Sequence, residues 1–220
     1  MTGAGLAAPR AILFDWDNTL VDTWPVIHDA INHTLVAMGQ AQWTYEETRQ
    51  RVRRSAREAF PELFGDRWER AREVFYDRFR DIHLDSLALM PGAAAMLETL
   101  SDGRFYLGVV SNKAGEHLRR EARHLGWDRY FARLVGATDA AADKPDAAAI
   151  ALALQGSGIA PGPEVWFVGD TDIDLLCARN AGCVRILVRA EPPRPGEFDG
   201  VEPAVYLRTC EELSALVAGL

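Results

Sequence analysis

The sequence feature that most constrains the fold is a short apolar run, Ala11–Phe14, which stops at two closely spaced carboxylates. An unbroken apolar run of this length predicts an inner strand of a parallel sheet, because such a strand is buried on both faces and does not alternate. If the extended backbone continues, Asp15 and Asp17 point to the same side. Ligands of such sheets gather beyond the carboxyl ends of strands. The pattern therefore predicts either an acidic site or a polar turn at Asp17-Asn18.

Further apolar runs alternate along the chain with segments of helical periodicity. The predicted strands cover residues 105–110, 134–135, 165–168 and 184–188, with 204–207 as a candidate edge strand, and the predicted helices cover 93–100, 116–125, 147–154, 175–181 and 210–218. Alternation of this kind predicts an α/β fold, a parallel sheet with helices on both faces.

Between the first two predicted strands lies a long segment without a strand signal. Thr23 and Pro25 favour a helix start, and Gly39 favours its end. Residues 43–83 have the pattern of two or three further amphipathic helices. We expect a core domain formed by residues 1–21 and 90–220, and an all-helical insertion, residues 22–89, which begins directly behind the two carboxylates, where the lid of an active site would be placed.

Composition narrows the range of partners. The chain has 220 residues, 48% of them hydrophobic, and a net charge of -8. This charge disfavours nucleic acids and anionic membranes, which require a basic surface, and favours a small ligand. The three cysteines lack Cys-x-x-Cys spacing, and neither a leader nor a membrane span is recognisable. We expect a cytoplasmic monomer or homodimer without zinc or disulfides.

Polar residues follow the next predicted strands as well. Ser111 and Asn112 can donate hydrogen bonds to an anionic oxygen, with a plain turn as the alternative. Lys144 can hold a phosphate and neutralise Asp15, with a solvated loop cation as the alternative. The only other lysine, Lys113, is assigned to the rim of the site.

The segment from Gly169 to Asp174 carries the most specific polar signal. Asp170 at a strand end and Asp174 at a helix start can place two carboxylates over one hard cation. Magnesium accepts oxygen ligands and retains water, so Asp15, Asp170 and a backbone carbonyl near Asp17 would suffice to bind it. Asp172 is left out, because an acid in the first turn interacts favourably with the helix dipole.

Together these features resemble the four motifs of the haloacid dehalogenase (HAD) superfamily in order and spacing: Asp-x-Asp-x-Thr, Ser-Asn, Lys and Gly-Asp-x-x-x-Asp. The resemblance covers essentially the whole chain, and the insertion resembles the C1-type helical cap of phosphoglycolate phosphatase-like members. It implies a Rossmann-like core and a magnesium-dependent phosphatase that acts on a small phosphorylated metabolite.

The resemblance also implies a role for each motif residue. Asp15 would attack phosphorus and form an aspartyl-phosphate, and Asp17 would protonate the leaving oxygen and later activate water. Lys144 would balance the phosphoryl charge and orient Asp15. The implied site residues are Asp15, Asp17 and Lys144 for catalysis, Ser111, Asn112 and Lys144 for phosphate binding, and Asp15, Asp17, Asp170 and Asp174 for the metal.

Single residues separate the branches of this superfamily. Haloacid dehalogenases have no acid equivalent to Asp17. The presence of Asp17 in this chain therefore favours phosphoryl chemistry. Related phosphonate hydrolases need a lysine in the cap, and residues 22–89 contain none. A sugar-phosphate mutase of the β-phosphoglucomutase kind shares every core residue and stays open. A non-catalytic HAD-fold binding protein also stays open, although it would be expected to have lost some of these residues.

Substrate specificity is assigned to three candidates. Trp16 is bulkier than the residue usual between the two acids and is expected to shape the substrate pocket. Arg53 and Arg54 lie in an arginine-rich helical pattern of the insertion. This pattern indicates either a solvated helix face or a clamp for a carboxylate or second phosphate of the substrate.

Substitution of these arginines tests the clamp. If a guanidinium binds the substrate, Arg53→Ala or Arg54→Ala lowers kcat/KM for the best substrate, because a charge-assisted hydrogen bond is lost. If kcat/KM were unchanged in both variants, the clamp would be excluded and the arginines would form a solvated helix face.

Overall fold

A computed structural model describes residues 6–52 and 56–220 of the protein. In this part of the chain the strands are β1 (Ala11–Phe14), β2 (Val21–Asp22), β3 (Ala88–Leu89), β4 (Tyr106–Ala114), β5 (Arg133–Ala137), β6 (Val165–Gly169), β7 (Val184–Val188) and β8 (Val205–Leu207). The α-helices are α1 (Trp24–Ala37), α2 (Tyr45–Arg51), α3 (Ala56–Phe64), α4 (Trp68–Ile82), α5 (Ala93–Leu100), α6 (Gly115–His124), α7 (Ala148–Leu154), α8 (Asp172–Asn180) and α9 (Cys210–Ala218).

Six of these strands form a parallel sheet in the order β5-β4-β1-β6-β7-β8. Strand β1 lies between β4 and β6, and all four of its residues are 0% exposed. Helices surround the sheet, so the predicted α/β parallel fold is confirmed. The apolar run predicts this strand correctly because neither face of an inner parallel strand meets water.

The register of the central strands determines which polar residues meet. Phe14, the last residue of β1, pairs with Val109 of β4 and with Val168 of β6. Each strand therefore carries a polar residue just beyond the same level of the sheet. These residues are Asp15 after β1, Ser111 in β4 and Asp170 after β6.

The chain divides into two compact units, one containing the chain up to Val21 together with Leu89–Leu220, and the other Asp22–Ala88. The second unit contains α1 to α4, with α1 packed on α4 around a small apolar core. Within it, Thr44 and Glu47 form a capping box that fixes the start of α2. Every helix among the described residues is too short or too polar to cross a bilayer.

Strand β4 continues past the end that its apolar residues predict. The sequence indicates a strand end at Val110, but the extended backbone runs on to Ala114, which pairs with Ala137 of β5 after a register shift. Ser111 to Lys113 are therefore strand residues rather than a turn. The continuation depends on Gly136, where a Cβ atom would collide with the backbone of Gly115 and approach the carbonyl oxygen of Lys113 to 2.7 Å.

This close approach predicts the effect of Gly136→Ala. Because the obstructing atoms are backbone, the added methyl should force β4 and α6 away from β5, at a cost of about 2–3 kcal/mol of unfolding free energy. A drop in Tm of roughly 5–10 °C is expected. Gly162→Ala is the matched control, since nothing lies within 4 Å of a Cβ atom there. Equal melting temperatures for the two variants would contradict the steric argument.

Candidate active site

Lys144 lies at the centre of the site. Its Nζ donates to Oδ1 of Asp15 and to Oδ1 of Asp174, each at 2.7 Å. All three residues are buried. Burial by itself would lower the pKa of Lys144, but Asp15 and Asp174 outweigh it and raise the pKa, so the ammonium stays charged. Burial raises the pKa of Asp15 to about 7, with Lys144 opposing and the charges of Asp174 and Asp17 adding to it.

Asn112 holds the main chain of Lys144 from both sides. Its Nδ2 donates to the carbonyl oxygen of Lys144 at 3.1 Å, and its Oδ1 accepts from the backbone N–H at 2.9 Å. The amide group expected to bind phosphate is thus engaged with the loop. We interpret Asn112 as a residue that places Lys144.

The start of α8 fixes the position of Asp174. Its Oδ2 accepts from the backbone N–H and the hydroxyl of Thr171, at 3.0 and 2.8 Å, and from the N–H of Asp170 at 3.2 Å. Gly169 precedes this turn because a Cβ atom there would collide with the Asp174 side chain. Asp174 therefore joins the helix start to Lys144.

Asp15, Asp170 and Asp174 each offer a carboxylate oxygen, and these atoms lie within 4.8 Å of one another. Burial, reinforced by Asp174 and Asp15, raises the pKa of Asp170 well above its ordinary value. One ammonium group cannot offset three crowded carboxylates, so this donor set fits a hard divalent cation such as Mg²⁺. The carboxylate of Asp17 is outside this group.

Asp17 instead pairs with the other lysine of the chain, Lys113. Nζ of Lys113 lies 2.6 Å from Oδ1 of Asp17 and donates to Oε2 of Glu121 at 2.6 Å. The expectation that Lys113 lies at the rim is wrong, because β4 continues into the site and leaves this side chain 5% exposed. Although burial opposes it, the charges of Asp17 and Glu121 raise the pKa of Lys113.

Trp16 lies in the core rather than on a pocket wall. Its side chain is 0% exposed, packs edge-on against Trp127 and Phe131, and donates from Nε1 to Oε2 of Glu121 at 2.7 Å. The hypothesis that Trp16 shapes the substrate pocket is not supported, because a ring without exposed surface cannot meet a ligand. Arg53 and Arg54 lie outside the described residues.

Glu121 is the site residue that the sequence interpretation missed. It lies in α6 and is 0% exposed. The signal is its place on the apolar stripe of the helix, three residues after Leu118 and next to Ala122, both also buried. A carboxylate on the buried face of a helix requires a partner, and the Arg-rich surroundings in the sequence hide this pattern.

At the end of β1 the carboxylate of Asp15 is held by the buried ammonium of Lys144, and a second acid, Asp17, follows two residues later. The chain belongs to the haloacid dehalogenase-like hydrolase family, whose model matches residues 12–188. The predicted family resemblance is thereby confirmed.

Known relatives agree with this assignment. The chain is 30% identical to a phosphoglycolate phosphatase of Xanthomonas campestris, over 79% of this chain and 80% of that one. It is also 30% identical to a phosphoglycolate phosphatase of Chromobacterium violaceum, over 81% and 84%. A haloacid dehalogenase-like hydrolase structure from Streptococcus pneumoniae superposes with a TM-score of 0.83 at 23% identity, covering 94% and 98%. The predicted enzyme class, a phosphatase, is confirmed by the named relatives.

The clamp on Lys144 predicts the effect of Asn112→Ala. Loss of two hydrogen bonds to the main chain should lower the unfolding free energy by about 2 kcal/mol, and the displaced Lys144 should reduce kcat roughly 10-fold or more. Asn180→Ala is the control, since this exposed amide makes one hydrogen bond to the same loop, at the carbonyl of Pro145. It should cost less than about 1 kcal/mol and leave kcat unchanged. Denaturant unfolding and phosphate release measure both effects, and similar results for the two variants would argue against the clamp.

Proposed function

We propose that the protein is a magnesium-dependent phosphatase that hydrolyses a small phosphorylated metabolite through an aspartyl-phosphate on Asp15. The observation that carries this proposal is the carboxylate of Asp15, held at the end of β1 by Lys144 at 2.7 Å. The lysine orients the nucleophile, and its charge is available to the phosphoryl group.

The reaction divides into two halves. An oxygen of Asp15 attacks phosphorus, the bond to the leaving oxygen breaks, and Asp17 donates a proton to that oxygen. Asp17 then accepts a proton from water, whose oxygen attacks the same phosphorus and releases phosphate while restoring Asp15. The hydroxyl of Ser111, in the buried part of β4, is the donor we assign to the phosphoryl oxygens.

In this proposal, Asp15 and Asp170 would hold the metal, together with the backbone carbonyl of Asp17 and with Asp174 directly or through water. When bound, Mg²⁺ supplies positive charge against the phosphoryl oxygens and the crowded acids. Asp174 also accepts a hydrogen bond from Lys144, so in this proposal one carboxylate would serve both the metal and the lysine.

Phosphoglycolate is the first substrate to test, because relatives at 30% identity are named phosphoglycolate phosphatases. The helical unit, Asp22–Ala88, is the cap that we propose selects the substrate, with Arg53 and Arg54 as candidate anion ligands. We further propose that the enzyme acts in the cytoplasm as a monomer or homodimer.

Phosphate release from a panel of small phosphate esters, with Mg²⁺ or with a chelator, tests the chemistry. Asp15→Asn should reduce release by a factor of about 1000 or more, since the nucleophile is lost, and the chelator should abolish wild-type activity. Asp172→Asn, an acid in the same helix turn as Asp174 but outside the proposed site, is the control and should retain activity. If no ester released phosphate in the presence of Mg²⁺, the phosphatase proposal would be overturned. Phosphosugar isomerisation would then be the activity to assay.

A further inference from the structure

A buried chain of polar contacts leads from the protein core to Asp17. The indole N–H of Trp16 and the ammonium of Lys113 both donate to Oε2 of Glu121, at 2.7 and 2.6 Å. The same ammonium lies 2.6 Å from Oδ1 of Asp17. We propose that Lys113 and Glu121 are positioning residues that hold the Asp17 carboxylate in the orientation required for proton transfer.

Asp17 needs an external support because its own backbone is leaving the strand. Strand β1 ends at Phe14, and Asn18 has a left-handed conformation with φ 62° that turns the chain. The orientation of Asp17 matters because misplacement of a catalytic group by about 1 Å can cost 100-fold in rate. The contact with Lys113 restricts this orientation.

The support is rigid because each member is fixed by the next. Lys113 is 5% exposed and Glu121 is 0% exposed, so solvent does not compete for their charges. Oε2 of Glu121 accepts from both Lys113 and Trp16, and Trp16 is itself packed against Trp127 and Phe131. The orientation of Asp17 therefore depends on packed aromatic rings in the core.

A purely structural role does not explain this arrangement. A buried Lys-Glu pair is frequently no more stabilising than well-packed apolar residues of similar volume. The two lysines of the chain are moreover divided between the two acids of the first motif. Lys144 contacts Asp15, and Lys113 contacts Asp17. We infer that each acid has its own lysine because the two acids perform different steps.

This inference depends on the proposed function, in which Asp17 protonates the leaving oxygen. Its signature is a dependence on the leaving group, because nitrophenolate departs readily without a proton and phenolate does not. The probes are 4-nitrophenyl phosphate and phenyl phosphate, whose similar shape keeps binding comparable. The quantity to measure is kcat/KM, which covers the reaction up to departure of the leaving group.

In Lys113→Met, kcat/KM for phenyl phosphate should fall about 10- to 100-fold more than kcat/KM for 4-nitrophenyl phosphate, since general acid catalysis contributes roughly 100- to 10,000-fold. Lys113→Met/Glu121→Gln removes both charges and avoids an unpaired buried carboxylate. It should fold and show the same selective loss. Arg119→Met, which removes an exposed ion pair from the same helix α6, should leave the ratio of the two esters unchanged.

A double-mutant cycle separates positioning from a general structural defect. Asp17→Asn should lower kcat/KM for phenyl phosphate more than kcat/KM for 4-nitrophenyl phosphate. Adding Lys113→Met to this variant should not widen the difference, because the group that Lys113 positions is already absent. If kcat/KM in the Lys113 variants fell equally for both esters, or did not fall, the positioning role would be overturned. If instead wild type and Asp15→Asn released phosphate equally, the proposed function would fail first.

Discussion

The ion pairs of Lys144 with Asp15 and Asp174 are the contacts on which the rest of the site depends. They join residues separated by 129 and 30 positions in the chain and place three charges in a buried environment. Removal of one partner would leave uncompensated buried charge, so the surrounding structure must hold all three together. Asn112, the close approach of Gly169 to the Asp174 side chain and the hydrogen bonds from Asp170 and Thr171 to Asp174 all contribute to this.

The two lysines of the chain give Asp15 and Asp17 different electrostatic surroundings. Lys144 lies among the carboxylates that would share a cation, whereas Lys113 lies between Asp17 and a helix residue that takes no part in that cluster. Two acids separated by one residue thus meet different surroundings. In the proposed mechanism, the nucleophile Asp15 would benefit from nearby positive charge, and the proton carrier Asp17 would benefit from a fixed orientation.

The sequence predicted the sheet well because burial leaves a direct mark on composition. The run Ala11–Phe14 and the alternation after it follow from apolar faces, and β1 is found where expected. The polar residues were harder to place. Ser111 to Lys113 have the composition of a turn, but pairing of Ala114 with Ala137 keeps them in a strand. The role of Glu121 and the pairing of Lys113 with Asp17 arise from contacts between distant segments. Local residue spacing does not encode such contacts.

The distribution of lysine has a consequence for chemical modification. Both lysines are buried, and each ammonium group forms ion pairs with two carboxylates that raise its pKa. The positive side chains on the surface are guanidinium groups, which do not deprotonate in proteins. Acylating reagents and aldehyde cross-linkers therefore find no accessible lysine amine on the folded chain. Lysine acylation of this protein becomes a measure of how often the interior around β1 opens to solvent.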